Sequence, residues 1–254
     1  MAGIEYALDG DLASITVNRP ERRNALTSQD WVDLGRAANT AVADRARAVL
    51  LRGAGSSFSA GFDISEITPG EVDALELVDG IVNPALLAIR QIPVPTVAAV
   101  EGACVGGGLG IAAACDVILA SETAKFAVPY TQIGIMADAG AHLFLREAIG
   151  YQRAADLIFS GRMLSAQDAL TLGLCAQVSD AAAFEQEVDA YVGALAKGPT
   201  QALVRSKSIL RSVQSVEEGL AVEARLQAEV FETQDAYEGI TAFLQGRKPV
   251  FKGE

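Results

Sequence analysis

Histidine is nearly absent: His142 stands alone in 254 residues. One imidazole excludes metal sites built on two or more, including the zinc helix with two histidines one turn apart. Cysteine is scarce too. Cys104, Cys115 and Cys175 show no C-x-x-C spacing, so neither a zinc knuckle nor a disulfide framework is expected, and a reducing compartment fits. Positive charge is in deficit, with 20 Lys and Arg against 32 Asp and Glu, a net charge of −12. That excludes the basic footprint of a nucleic-acid binder. Long apolar runs are missing. Stretches such as Val94–Val100 are broken by proline and fall far short of the roughly 18–20 residues of a membrane span. The opening MAGIEYALDGDLAS has no basic segment followed by an apolar one, so no signal peptide and a cytoplasmic location are expected. Aromatics are only 6% of the chain. The core is therefore expected from Ala, Val, Leu and Ile, and acid–base chemistry falls to carboxylates or tyrosines.

What is present alternates between strand and helix in the first half and turns helical in the second. Ile4–Ala7 and Leu12–Val17 flank Asp9-Gly10-Asp11 and predict a hairpin. Thr27-x-x-Asp30 predicts a capped helix to about Ala43, with Trp31, Leu34, Ala38 and Val42 on one face. Ala48–Leu51, Thr96–Val100, Val117–Ala120 and Lys125–Ala127 read as short strands. Val72–Ile89 has helical spacing with a break at Asn83-Pro84. From Ala139 the signals are helical almost to the end. Gly198-Pro199 is the expected boundary between a core of residues 1–197 and a helical region of residues 198–254. The latter is too small to stand alone and is expected to pack on the body or on a partner subunit.

Two glycine-bearing loops draw the functional reading. Ser56–Ile64 follows a strand, and Gly106–Gly110 opens a helix. Glycine allows close approach to the main chain, and a helix start adds unpaired N–H donors. Two such donors aimed at one carbonyl oxygen form an oxyanion hole; close packing alone is the other reading. Neither loop fits the dinucleotide pattern, because Phe58 and Ile111 stand where G-x-G-x-x-G needs its last glycine.

Several spaced motifs coincide. They are Asn18-Arg19-Pro20 with Asn24-Ala25-Leu26, Phe58–Ile64, Gly102-x3-Gly-Gly-Gly108 followed by Cys115-Asp116, Ser165–Leu174, and Glu238–Phe243. Together they resemble the crotonase (enoyl-CoA hydratase/isomerase) superfamily, in order and over nearly the whole chain. The resemblance implies an α/β fold, a spiral of ββα turns, with C-terminal helices that assemble homotrimers, often paired into hexamers. It implies an acyl-CoA thioester as substrate and no further cofactor or metal. It assigns the oxyanion hole to the backbone N–H groups of Phe62 and Gly107, next to Gly106, and an adenine cradle to backbone near Ala60, Asp63 and Ile64. Arg19, Arg23 and, near the C-terminus, Lys248 or Arg247 are the implied CoA-phosphate contacts, and Phe243 belongs to the same C-terminal contribution.

The family's hydratases carry two glutamates, whose places here hold Gly110 and Tyr130. A different carboxylate is available: Asp138, in Ile133–Gly140, resembles the acid/base aspartate of dienoyl-CoA isomerases and of isomerases of aerobic phenylacetate degradation. A helix N-cap is its plain alternative. The leading expectation is a Δ3-Δ2 double-bond isomerase in which Asp138 moves one proton, with Tyr130 lining the acyl pocket. The alternatives are a hydratase with an atypical site, an Asp138-dependent hydrolase or dehalogenase, and a non-catalytic acyl-CoA binder. Asn83 stands near the place of the histidine that accompanies the aspartate in the dehalogenase. His142, four residues after Asp138, is placed to tune it.

Overall fold

A computed structural model describes residues 3–68, 70–212 and 215–254. β1 (Ile4–Asp9) and β2 (Leu12–Val17) form the expected hairpin, longer by two residues, with Gly10 at φ 56 in the turn. β2 then pairs in parallel with β3 (Ala48–Gly53), β3 with β4 (Thr96–Val100), β4 with β6 (Val117–Ser121), and β6 with β9 (Gln177–Ser179). The six-stranded sheet runs β1-β2-β3-β4-β6-β9. A second sheet stacks β5 (Ala103–Val105), β7 (Lys125–Ala127) and β8 (Leu164–Ser165). The chain thus alternates between sheets and returns through helices, which is the ββα spiral.

Parallel strands covered on both faces must be apolar on both. Val49, Leu51, Ala98 and Val100 face the main core, while Leu50, Val97, Ala99 and Leu119 face the other side under Phe184, Val188 and Val192 of α7 (Phe184–Ala196). The main core is packed from the other face by α1 (Ser28–Ala43), α2 (Asn83–Gln91) and α3 (Gly107–Ala114).

The capping box of α1 is present: the Thr27 side chain accepts from Asp30 N–H and the Asp30 carboxylate accepts from Thr27 N–H. Its inward stripe is Trp31, Leu34, Ala38 and Ala41, whereas Val42 points outward and is 43% exposed. The spacing of three, rather than four, keeps the last turn of the stripe aimed at the core. At Asn83-Pro84 the helix changes pitch instead of ending. Wide π-type turns over Glu76–Val82 pass into α2, because Pro84 sits in the first turn, where its missing N–H is not needed. Between Ala139 and Leu172 there are three helices, α4 (Ala141–Ile149), α5 (Tyr151–Ser160) and α6 (Ala166–Leu172), separated by Gly150, at φ 79, and by Gly161, at φ 61, with β8 between α5 and α6.

After Gly198 come α8 (Thr200–Ser212), α9 (Val216–Phe231) and α10 (Gln234–Leu244). α8 is tied to the body by charge, with Lys207 buried and Asp116 at the surface. Lys207 Nζ contacts Asp116 Oδ2 at 2.6 Å and donates to Val94 O at 2.7 Å, and Arg211 Nη2 reaches Asp116 Oδ1 at 2.5 Å. Burial pushes the Lys207 ammonium down to about 8 even though Asp116 pulls it up. α9 carries its apolar stripe largely uncovered: Leu220 is 62% exposed, and only Gly219 of the helix is buried. Among the described residues no helix is long and apolar enough to cross a membrane.

Candidate active site

Register brings the two glycine loops together. Ser59 pairs in parallel with Cys104: Ser59 N–H donates to Ala103 O at 2.9 Å, and Val105 N–H donates to Ser59 O at 2.9 Å. Past that bridge the loops stay in contact, since a Cβ at Gly61 would lie 2.8 Å from Gly107 N, and this sets Phe62 next to Gly107. Phe62 also bridges Leu26 on its other side, where Leu26 N–H donates to Gly61 O at 2.7 Å and Asp63 N–H to Leu26 O at 2.8 Å. The Phe62 N–H is therefore turned away from Leu26. Gly107 is the first residue of α3, so its N–H has no partner inside the helix. Among the described residues neither amide donates to a protein acceptor.

Three glycines make this approach sterically feasible. At Gly61, φ 91, a Cβ would lie 2.8 Å from Gly107 N and 2.8 Å from Val105 O. At Gly108 it would lie 2.3 Å from Ser59 O. At Gly107 it would meet the Trp31 ring at 2.9 Å. Asn24, fully buried and at φ 56, braces the first loop by donating to Ala54 O at 2.9 Å and Ser57 O at 2.6 Å. The Ser59 hydroxyl donates to Asn24 O at 2.8 Å and accepts from Gly61 N–H at 3.0 Å.

The Asp138 segment packs against the same helix. The cap residue of α4 is Gly140, and no side chain caps that helix, so the Asp138 carboxylate is not spent as an N-cap. Ala139 adopts φ 48, a left-handed conformation costing a non-glycine residue about 1–3 kcal/mol. That turn pushes the Ala139 carbonyl into α3, where a Cβ at Gly110 would lie 2.1 Å from Ala139 O. A side chain at Gly110, where the resemblance places a hydratase glutamate, would collide with that backbone. Burial raises the Asp138 carboxyl above the usual range, while the Tyr130 hydroxyl and, less, the charge of His142 pull it back. The same pair acts in reverse on Tyr130, whose phenol is raised first by burial and then by Asp138. Tyr130 faces Asp138 loosely, since no well-formed hydrogen bond joins them among the described residues, and its hydroxyl also borders Gly106, 3.7 Å from where a Cβ would stand. His142 is exposed at the start of α4.

The charged residues divide. Arg19 is matched internally: its Nη1 donates to Ala25 O at 2.6 Å and Asp63 Oδ2 at 3.0 Å and lies 3.5 Å from Asp30 Oδ2. Asp63 caps the short turn Ile64–Glu66, and hydrogen bonds from Ser65, with Arg19 beside it, hold its carboxyl low. Both residues brace the loop that carries Phe62. Arg247 is paired with Glu238 at 2.6 Å. Arg23 and Lys248 are exposed, and no salt bridge engages either among the described residues. Ala60 donates its N–H to Arg23 O at 2.9 Å, and Ile64 is exposed at the loop's end. Phe243, on α10, is 84% exposed. The structure thus brings together Phe62, Gly106, Gly107, Tyr130 and Asp138, and leaves Phe243 and Lys248 on the C-terminal surface. Sequence reasoning assigned no role in the site to Asn24, Ser59, Trp31 or Ala139.

Known structures share this architecture. An enoyl-CoA hydratase from Bacillus anthracis superposes with a TM-score of 0.92 at 28% identity, over 99% of this chain and 100% of that one. The spiral and paired loops are those of the crotonase fold. The model of the enoyl-CoA hydratase/isomerase family matches residues 8–254, and the chain belongs to that family. YhaR, an enoyl-CoA hydratase/isomerase-like protein of Bacillus subtilis, is 35% identical over 99% of this chain and 100% of its own. A trans-2-decenoyl-[acyl-carrier-protein] isomerase of Streptococcus mutans is 30% identical over 99% of this chain and 98% of its own.

Proposed function

We propose that this family member isomerises 3-enoyl-CoA to 2-enoyl-CoA with Asp138 as the single acid/base. The observation that carries the reading is that a Cβ at Gly110 would lie 2.1 Å from the Ala139 carbonyl oxygen: the turn presenting Asp138 leaves no room for a side chain where the resemblance expects a hydratase glutamate. A 3-enoyl thioester has a C2 proton acidified by both the carbonyl and the alkene. The Asp138 carboxylate removes it. The electron pair spreads into a dienolate whose oxygen accepts from Phe62 and Gly107 N–H, each donor being worth about 3–4 kcal/mol in comparable holes. The carboxylic acid so formed returns the proton to C4, and the double bond rests between C2 and C3. Neither water nor a second catalytic side chain is consumed. Raising the Asp138 carboxyl makes it a stronger base than an exposed aspartate. Tyr130 walls the acyl pocket, and its hydroxyl offsets part of the burial that raises the Asp138 carboxyl. Arg23 and Lys248, which no salt bridge engages among the described residues, are offered to the CoA phosphates, with Arg19 and Asp63 bracing the loop, and no cofactor is required.

The catalytic test uses 3-enoyl-CoA labelled with deuterium at C2. Isomerisation leaves the mass of the acyl group unchanged apart from exchange, and a one-base shuttle carries part of the label to C4. Gain of one water identifies a hydratase, and release of free CoA a hydrolase; either result overturns the isomerase reading. Binding without turnover makes the chain an acyl-CoA carrier. The exposed apolar faces of α9 and α10 support assembly as a homotrimer or homohexamer. Light scattering should find three or six 26.5 kDa chains, and a monomer overturns the assembly.

A further inference from the structure

The turn that carries Asp138 is strained. Ala139 and Gly140 both stand in the left-handed region, at φ 48 and φ 73. For an alanine that conformation persists only where the surrounding structure imposes it. Part of that structure is α3, whose bare Gly107 and Gly110 leave room for the Ala139 methyl and carbonyl. Room alone does not hold a strained residue in place.

Phe144, one turn into α4, supplies the hold. Its ring lies against Gly140: a Cβ there would stand 2.4 Å from Phe144 Cε2, 2.7 Å from Cδ2 and 3.0 Å from Cζ. Gly140 O accepts from Leu143 N–H at 3.0 Å and from Phe144 N–H at 2.9 Å, and Ala141 N–H closes the turn on Asp138 O at 3.0 Å. The ring is only half-buried and borders a cavity of about 310 Å³ with Arg90 and Glu147, so core packing does not fix it by itself. Arg90, from α2, adds what packing lacks. Its guanidinium lies over the Phe144 ring, 5.2 Å from the centroid. Its Nη2 donates to Glu147 Oε1 at 2.8 Å and to Oε2 at 2.7 Å. Phe144 and Glu147 are three residues apart on α4 and share a face, so one guanidinium grips both. The Arg90 backbone is fixed in turn, because its carbonyl accepts from Arg211 of α8.

We propose that Phe144 and Arg90 are positioning residues for the isomerisation: Arg90 holds the Phe144 ring on Gly140, which keeps Ala139 in its strained conformation against α3 and the Asp138 carboxylate at its working place. Neither side chain needs to touch the substrate. The proposal rests on the reading of Asp138 as the acid/base.

Phe144→Leu removes the ring. Arg90→Gln leaves the ring but removes the cation and its grip on Glu147. Each full-length variant is compared with the parent in turnover of 3-enoyl-CoA and in hydrogen exchange at the Ala141 amide. The expected result is a kcat lowered about 10- to 100-fold, the cost of a misplacement on the order of 1 Å, with KM close to the parent's. The acid limb of kcat moves toward lower pH, because a relaxed turn gives Asp138 back to water. Exchange at Ala141 quickens about tenfold while the amides of the sheet keep the parent's rates. With an active parent, a variant that keeps the parent's kcat, or the parent's exchange at Ala141, overturns the proposal. A loss of kcat matched by faster exchange throughout the sheet is general destabilisation and overturns it as well. A parent that leaves 3-enoyl-CoA unchanged overturns the isomerase reading, and the exchange comparison alone then decides the brace. Arg90→Gln changes a partly exposed side chain, so it decides the matter even where Phe144→Leu folds poorly.

Discussion

Asp138→Asn is expected to lower isomerase kcat by about 10²–10⁴-fold, the range a positioned general base contributes. The substitution keeps the shape of the side chain and leaves the two backbone donors in place, so KM for the thioester should change far less than kcat. The pH dependence follows from the same carboxyl. Burial holds it above its ordinary value, so activity of the unmodified enzyme should fall on acidification with a midpoint above the usual aspartate range. Stability runs in the opposite sense. Between the ordinary and the raised value the folded state keeps a proton that the unfolded chain has released. Folding is therefore weakened as pH rises through that window, and at neutral pH the folded protein carries a poorly solvated carboxylate. Asp138→Asn should consequently melt at a higher temperature than the unmodified protein at neutral pH, and the gap should close below about pH 4. A variant that isomerises as fast as the parent removes Asp138 from the chemistry. One that is inactive and also less stable at neutral pH points to a structural role instead.

Local chemistry made much of this fold readable. The Thr27/Asp30 capping box and the hairpin turn at Gly10 each depend on residues a few positions apart. What depends on distant residues was not readable. β5, β8 and β9 are two or three residues long and exist because neighbours from other turns of the spiral pair with them. The parallel bridge from Ser59 to Cys104 spans 45 positions, so the meeting of Phe62 and Gly107 came from family resemblance rather than from pattern. Arg19 looked free because its partners, Asp63 and Asp30, are brought to it by folding. Trp31 looked like ordinary core, and nothing in the spacing marks its ring as lying against Gly107. The left-handed turn runs through Ala139 and Gly140, and only Gly140 announces it; the alanine, whose carbonyl decides that Gly110 must stay bare, does not.

Gly61→Ala is expected to reduce kcat/KM by about 10²–10³-fold, the cost of losing one oxyanion donor. Two effects add at this position. The backbone sits at φ 91, where side chains other than glycine are strained. The new methyl would also lie 2.8 Å from Gly107 N and 2.8 Å from Val105 O, both main-chain atoms that no rotamer change can move aside. The loops must therefore part, and the Phe62 and Gly107 N–H groups can no longer converge on one oxygen. Gly10→Ala separates the two effects. Gly10 also has positive φ, 56, but nothing lies within 4 Å of its would-be Cβ, and it belongs to the hairpin turn far along the sheet from the loops. That variant should lose about 1–2 kcal/mol of stability from strain alone and keep its kcat/KM. The comparison is read by steady-state kinetics alongside thermal melts. If Gly61→Ala loses only as much as Gly10→Ala in both measurements, the pair of amides at Phe62 and Gly107 is not the oxyanion hole, and the dienolate must be held elsewhere.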